Sequence, residues 1–434
     1  MKFSSTRNSN NVVSFSQAIT NCISSDGGFY VPNSPSNLRP WIYYLNQNTS
    51  FSSLAGALTS AMIKEEFSPI ISEAIATNAF PFSPELKQLD ESLYELDLYT
   101  GPTGSHKDFG ISYLAACLEY TLLMQDKTAT VIAVCNKAIG SSVAHAMRGK
   151  TRLKAVLLYS KDTMKGFAED DCIWNGGNIY PVEVEGTLDE CSVLVKQLFE
   201  DKNAVEKYGL TLANTMNIGR LLPQTFFYMY AFSRLKEKVF GDIFYALAPG
   251  NYGNLVAGLY GWRFSLPVNG FITECTPSLT VDSMGKCHMM DAVIPLEKRP
   301  PANPGSPSNL ERLEEVFLAN PAVMKGLVFP QPVSVIEKEK ACKDLFMEYG
   351  VFADPETAGA YAAARKHSEA TDTQASAVVL VARDHPSFSN DTIRHWCGET
   401  VKMPDNIAIL QEHIKPKKCI NPLKKELLQI LEEL

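Results

Sequence analysis

Asp108-Phe-Gly-Ile-Ser-Tyr-Leu-Ala-Ala-Cys-Leu-Glu-Tyr-Thr-Leu-Leu-Met124, followed after three residues by Thr128-Ala-Thr-Val-Ile-Ala-Val134, sets the architecture. In the first stretch Ile111, Leu114, Ala115, Leu118 and Leu122 recur at helical spacing and make one apolar face; the second is a β-branched run of strand length. From about residue 89 the same alternation continues. It predicts strands over Lys154–Tyr159, Ile179–Val184, Asp242–Leu247, Gly270–Glu274 and Ala377–Ala382. A helix over Thr187–Phe199 opens with Thr187 and Glu190, the spacing of a capping box. Strands alternating with helices form α/β units around a mostly parallel sheet, so the expected class is α/β, doubly wound.

The 434 residues exceed one ordinary core and call for two or three units of about 150 residues. Residues 1–88 are helical in pattern, rich in Ser and Asn, and broken by Asp26-Gly27-Gly28; they are expected to form a separate N-terminal cap. Residues 89–415 form the α/β region in two lobes, the smaller spanning about 110–240. The Pro-rich Lys298–Pro307 cannot continue a helix or a central strand and is expected as a surface loop. Residues 416–434 read as a tail ending in a helix of undefined attachment.

A net charge of -8, with Lys and Arg scattered, gives no pull towards a nucleic-acid backbone. No stretch reaches the roughly 18 apolar residues that span a bilayer, and the start lacks a signal-like apolar region, so a cytoplasmic protein is expected. Ten cysteines, at 22, 117, 135, 172, 191, 275, 287, 342, 397 and 419, include no C-x-x-C pair. Buried free thiols are expected, and no metal, since Cys287-His288 has no second cluster to complete a site.

Two segments carry potential chemistry. Gly101-Pro-Thr-Gly-Ser-His-Lys107-Asp108-Phe-Gly110 delivers one lysine to the start of the apolar helix. A lysine desolvated there is a usable nucleophile towards an aldehyde; the alternative is a surface lysine beside a helix start. A phosphate-binding Walker loop is excluded, because His106 precedes the lysine and Asp108 follows it. Ala248-Pro-Gly250-Asn251-Tyr252-Gly253-Asn254 follows a strand and opens a helix, where backbone amides suit a phosphate, although tight packing explains such glycines equally well. A reactive lysine plus a separate anion cradle is what a phosphorylated aldehyde cofactor requires.

With these residues in place the sequence resembles the threonine synthase family, whose His-Gly-Pro-Thr-x-x-Phe-Lys-Asp motif carries the cofactor lysine. Here the motif stands as Thr100-Gly-Pro-Thr-Gly-Ser-His106-Lys107-Asp108. Further matches are Ala213-Asn-Thr-Met-Asn217-Ile-Gly-Arg220-Leu-Leu-Pro-Gln224, Gly250–Gly253, Pro307-Ser-Asn-Leu-Glu-Arg312, Asp354-Pro-Glu-Thr357 and His385-Pro386. The agreement runs from Val13-Ser-Phe-Ser-Gln-Ala-Ile19 to about residue 405. The resemblance implies a tryptophan-synthase-like fold of two α/β domains with a pyridoxal 5'-phosphate cleft between them. It also implies conversion of O-phospho-L-homoserine and water to L-threonine and phosphate, by a carbon–oxygen lyase acting on a phosphorylated amino acid.

By the same resemblance Lys107 holds the cofactor and moves protons. Gly250, Asn251, Tyr252, Gly253, Asn136 and Arg383 touch the cofactor, and Thr103, Asp108, Asn217 and Arg220 touch the substrate. Arg220 would clamp a phosphate or carboxylate, or else brace its own helix.

Three places depart from the family. The loop that encloses the substrate carboxylate reads Asn136-Lys137-Ala138-Ile139-Gly140 and retains only its last glycine; Asn136 or Lys137 would substitute in part. Arg383-Asp384-His385-Pro386 puts a guanidinium where a hydroxyl faces the pyridine nitrogen. Cys275-Thr276-Pro277-Ser278 replaces an Asn- and Asp-bearing segment. A paralogue acting on another phosphorylated amino acid and a non-catalytic binding or regulatory descendant therefore stay open, as does the oligomeric state.

Overall fold

Fifteen strands partition into two large sheets and two small ribbons in the computed structural model, which describes residues 1–34, 36–136, 138–166, 177–290, 294–318, 321–371 and 377–434. In chain order they are β1 Phe3–Ser5, β2 Tyr30–Pro32, β3 Glu85–Gln88, β4 Leu93–Asp97, β5 Ala129–Val134, β6 Leu153–Ser160, β7 Ile179–Val184 and β8 Leu210–Leu212. There follow β9 Ile243–Ala246, β10 Gly270–Glu274, β11 Leu279–Val281, β12 Cys287–Met289, β13 Val328–Gln331, β14 Ala377–Ala382 and β15 Cys419–Ile420. One sheet runs β13-β10-β9-β14-β4-β3, parallel except for β3; the other runs β15-β7-β6-β5-β8 and is parallel throughout. Sheets of this kind, buried on both faces, need near-continuous apolar strands, and β5, β9 and β10 are buried at every position. The capping box at Thr187 and Glu190 is present.

Three features add to the expectations. The expected cap over residues 1–88 packs on the body: Phe51 lies edge-on against Phe109 at 5.3 Å and stacks with Phe227 at 6.4 Å, within one apolar cluster. Glu85–Gln88, within that span, is the antiparallel edge of the six-stranded sheet, and its partner β4 lies where no strand was expected. The tail is anchored. Cys419–Ile420 extends the five-stranded sheet beside β7, and helix Lys424–Glu433 buries Leu427, Ile430 and Leu431 in the smaller lobe's core.

The Pro-rich loop runs across both lobes, with Pro304 accepting from Asn214 Nδ2 at 2.6 Å and the Arg299 carbonyl accepting from Arg7 at 3.1 Å. Behind it Arg312 is wholly buried and donates to the Tyr30 carbonyl (3.1 Å), the Met216 carbonyl (2.9 Å), Asn309 Oδ1 (2.8 Å) and the Thr215 carbonyl. A buried guanidinium held by carbonyl oxygens, with the Phe29 ring against its face at 4.6 Å, ties β2, the 215–217 turn and helix Leu310–Leu318 into one register. Among the described residues no helix is long and apolar enough to cross a membrane.

Truncation after residue 415 exposes the face that Ile420, Leu427, Ile430 and Leu431 cover. We expect it to lower unfolding stability by about 5 kcal/mol on apolar area alone, measured by urea denaturation. An unchanged midpoint would refute the structural role of the tail.

Candidate active site

The lysine-bearing turn links β4 to helix Lys107–Gln125, which begins at the lysine itself. Its shape is fixed by Asp108. The Thr103 amide donates to Asp108 Oδ2 at 2.8 Å and the Thr103 hydroxyl to Oδ1 at 2.7 Å, with Ser142 Oγ 3.0 Å from that hydroxyl. Burial pushes the Asp108 carboxyl up, against these hydrogen bonds. Thr103 and Asp108, expected to touch substrate, bond to each other inside the turn that carries the lysine.

Lys107 Nζ lies 3.3 Å from Ser105 Oγ and 3.5 Å from Asp384 Oδ1. Asp384 sits just beyond the end of β14 and also accepts from Ser105 Oγ at 2.5 Å. His106 Nδ1 is 3.4 Å from the same oxygen, without a well-directed hydrogen bond. The backbone closes the contact from both sides: His106 N donates to the Arg383 carbonyl at 2.7 Å, and His385 N to the Gly104 carbonyl at 2.8 Å. Burial raises the Asp384 carboxyl, but Lys107, His106 and Ser105 more than offset it and hold it well below the usual carboxylate range. Burial drives the His106 imidazole down to about 4, so it is neutral at pH 7. Asp384 was not among the residues singled out from sequence. The only signal for it was its place just past the end of a parallel strand, where α/β sites are built.

Arg383, one residue earlier, points the other way. It pairs with Glu356, and its Nη1 donates to Asn254 Oδ1 at 3.3 Å. Its guanidinium also lies against Gly250, where a Cβ would come within 2.7 Å of Nη1. Gly250 has φ +47, so the loop tolerates neither a side chain nor ordinary backbone there. Tyr252 is held in the same left-handed region, φ 64, by its amide on the Pro249 carbonyl (2.7 Å) and its hydroxyl 2.6 Å from Thr276 Oγ1. Thr276 belongs to the segment that departs from the family pattern.

Asn251 Oδ1 accepts from Gly253 N at 3.2 Å, while its Nδ2 donates to Thr215 Oγ1 at 3.0 Å. The next amides of helix Gly253–Arg263 have no intrahelical acceptor, as at any helix start, and the dipole there favours an anion. Of the consecutive residues Arg383 and Asp384, the first thus contacts the 250–253 loop and the second Lys107.

Arg220 lies against the helix that Lys107 begins. The contact is at Gly110, one turn along the helix from Lys107: a Cβ on Gly110 would meet the Arg220 carbonyl oxygen at 2.5 Å and its Cγ at 3.0 Å. The side chain is buried, its Nε has no hydrogen-bond partner, and no carboxylate among the described residues pairs with it. Burial lowers its pKa to about 10, which leaves it charged at pH 7 and in need of an anion.

Asn217 has structural partners: its Nδ2 donates to the Ile19 carbonyl (2.8 Å) and Thr211 Oγ1 (3.2 Å), and its Oδ1 accepts from Gly219 N (2.9 Å). The amide caps the short helix that carries Arg220 and keeps one acceptor site on Oδ1. Asn136 is exposed beyond the end of β5, and no side-chain hydrogen bond joins it to the other candidates. Lys137 lies outside the described residues. The one set of side chains close enough for a metal, Glu183, Glu185 and Cys419, sits at the edge of the smaller lobe among the described residues, with Glu185 already on Lys161.

Comparison with known proteins places the chain beside the threonine synthases in sequence and fold. Residues 2–80 match the family model for the threonine synthase N terminus. A threonine synthase of Buchnera aphidicola subsp. Schizaphis graminum is 28% identical over 439 residues, covering 99% of this chain and 100% of that protein. The crystal structure of threonine synthase from Escherichia coli superposes with a TM-score of 0.79 at 25% identity, covering 100% of this chain and 99% of that one. The pyridoxal-phosphate-bound threonine synthase from Brucella melitensis shares the fold, with a TM-score of 0.79 at 20% identity and coverage of 99% and 98%.

The neutral, buried His106 predicts a pH effect. The unfolded imidazole protonates near 6.5 and the folded one only near 4, so the unfolded state binds the extra proton first and stability falls as pH drops between those values. We expect His106→Phe to remove a slope worth on the order of 2 kcal/mol between pH 7 and pH 4.5, read by urea denaturation at each pH. Parallel pH profiles for the two proteins would contradict it.

Proposed function

We propose that this chain, which is related along its whole length to the threonine synthases, holds pyridoxal 5'-phosphate on Lys107 and converts O-phospho-L-homoserine and water to L-threonine and phosphate. The observation that carries the proposal is that two adjacent residues at the end of one strand contact the two candidate segments, Asp384 the Lys107 amine and Arg383 the Gly250 loop. The residues present fit the cofactor: a lysine in reach of polar partners and a glycine-bearing helix start for its phosphate. When bound, the cofactor supplies an electron-withdrawing ring that acidifies the C–H bonds of the amino acid attached to it.

The chain's own groups do the rest. Lys107 Nζ takes and returns protons along the substrate carbons, and Ser105 Oγ and Asp384 Oδ1 fix where that amine stands. Thr103 and Asp108 keep the turn closed beneath it. Arg220 receives the phosphate or carboxylate of the substrate as a charge-assisted pair, replacing the anion that the apo cleft lacks. Asn251 and Tyr252 hold the amides of the phosphate loop in place. Thus the partner is a phosphorylated amino acid, not nucleic acid or a membrane, and the working compartment is the cytoplasm.

A second reading, a paralogue acting on another phosphorylated amino acid, is favoured by one observation: Arg383 lies against Gly250 with its charge matched by Glu356.

The test is phosphate and threonine release from O-phospho-L-homoserine, beside phosphoserine and phosphothreonine, with added pyridoxal phosphate. Turnover of phosphohomoserine that Lys107→Ala abolishes is expected. Turnover of another of the three compounds alone would support the paralogue, and no turnover of any would remove the enzymatic reading. Arg220→Met is expected to raise KM roughly 10- to 100-fold, the loss of one charge-assisted pair; an unchanged KM and kcat would show that Arg220 only braces its helix.

A further inference from the structure

Away from the cleft, helix Val335–Tyr349 and helix Asn390–Cys397 bring two thiols together: Cys342 Sγ is 3.4 Å from Cys397 Sγ. The residues are 55 apart in sequence, and neither neighbour is a C-x-x-C partner. Cys342 is completely buried, and Cys397 is partly exposed at the last turn of its helix, just before Gly398 in the left-handed conformation. The two sulfurs stand at van der Waals contact. They need to close to about 2.0 Å for a bond, a displacement that falls on the last residue of helix Asn390–Cys397. A thiol open to solvent facing one that is shielded is the arrangement in which a mixed disulfide formed on the first is resolved by the second.

We propose that Cys342 and Cys397 form a reversible intramolecular disulfide, with a low-molecular-weight disulfide as oxidant. The Cys397 thiolate attacks one sulfur of the oxidant, breaks its S–S bond and releases one small thiol, leaving a mixed disulfide on the protein. Cys342 attacks the Cys397 sulfur, breaking its bond to the small group, and passes its proton to the departing small thiolate, which leaves as the second small thiol. Two protein thiols are oxidised, and one small disulfide is reduced to two thiols. Burial raises the Cys342 thiol to about 12, which makes Cys397 the entry point and Cys342 the resolving sulfur.

The bond also has a route towards the cleft. Reduced Cys342 donates to the Ala353 carbonyl at 3.4 Å, and the next residue, Asp354, accepts from Thr357 N at 2.6 Å at the start of the helix that carries Glu356. Oxidation removes the Cys342 donor from that turn, whose Glu356 pairs with Arg383 beside Gly250.

The experiment equilibrates the full-length protein with reduced and with oxidised glutathione, blocks remaining thiols under denaturing conditions, and maps the digest by mass spectrometry. The expected result is a peptide pair joined through Cys342 and Cys397, two hydrogens lighter than the separate peptides and lost on reduction. In Cys397→Ser, Cys342 is expected to stay alkylatable with no glutathione on it. A glutathione adduct that persists on Cys397 while Cys342 is recovered free would overturn the proposal. So would recovery of both thiols unmodified from the folded protein.

Discussion

The cleft depends on one carboxylate. Asp384 is removed from most solvent at the end of β14, and a buried charge in that position is tolerated only if donors surround it. Ser105, Lys107 and His106 approach it from the turn before helix Lys107–Gln125, and two backbone hydrogen bonds fasten that turn to Arg383 and His385. The lysine's position is therefore set by the end of a strand in the six-stranded sheet as well as by its own helix. Removing the carboxylate would take a charged partner from the amine and loosen the side-chain contacts of the turn with the strand end.

A second layer balances charge across the cleft. Arg383 is matched by Glu356, so its guanidinium adds little net field at Gly250, whereas Arg220 is buried with no carboxylate partner. In a low-dielectric cleft an unmatched cation is costly until an anion arrives, and this differential favours binding of a phosphate or carboxylate ligand. Arg312 holds the surrounding frame: its four carbonyl contacts span residues far apart in the chain and keep the Thr215 hydroxyl where Asn251 and Asn309 reach it.

What could be read from sequence followed local physics. Ile179–Val184, Gly270–Glu274 and Ala377–Ala382 were legible to the residue because β-branched runs bounded by turns have few other homes. Leu93–Asp97 was not, because Glu95 and Asp97 interrupt its apolar character. The structure buries both: burial and the neighbouring Asp97 raise the Glu95 carboxyl to about 8, so it enters the sheet largely neutral, while Lys87 pairs with Asp97 from the adjacent strand. Lys107 and the 250–253 loop stood out because turn chemistry marks them within ten residues. Asp384 and Glu356 did not, since Asp384 meets Lys107 across 277 residues of chain and no local pattern encodes that contact. Asn217 differs: it sits in a well-matched segment, and its amide caps the helix of Arg220.

The central claim is that Lys107, held by Asp384 and Ser105, is the residue to which pyridoxal phosphate attaches. The direct measurement is to incubate the protein with pyridoxal phosphate, reduce with borohydride to make the linkage permanent, and locate the phosphopyridoxyl group by peptide mass spectrometry. The account predicts one stoichiometric label on Lys107. A label spread over surface lysines, or carried by another lysine with Lys107 unmodified, would contradict it.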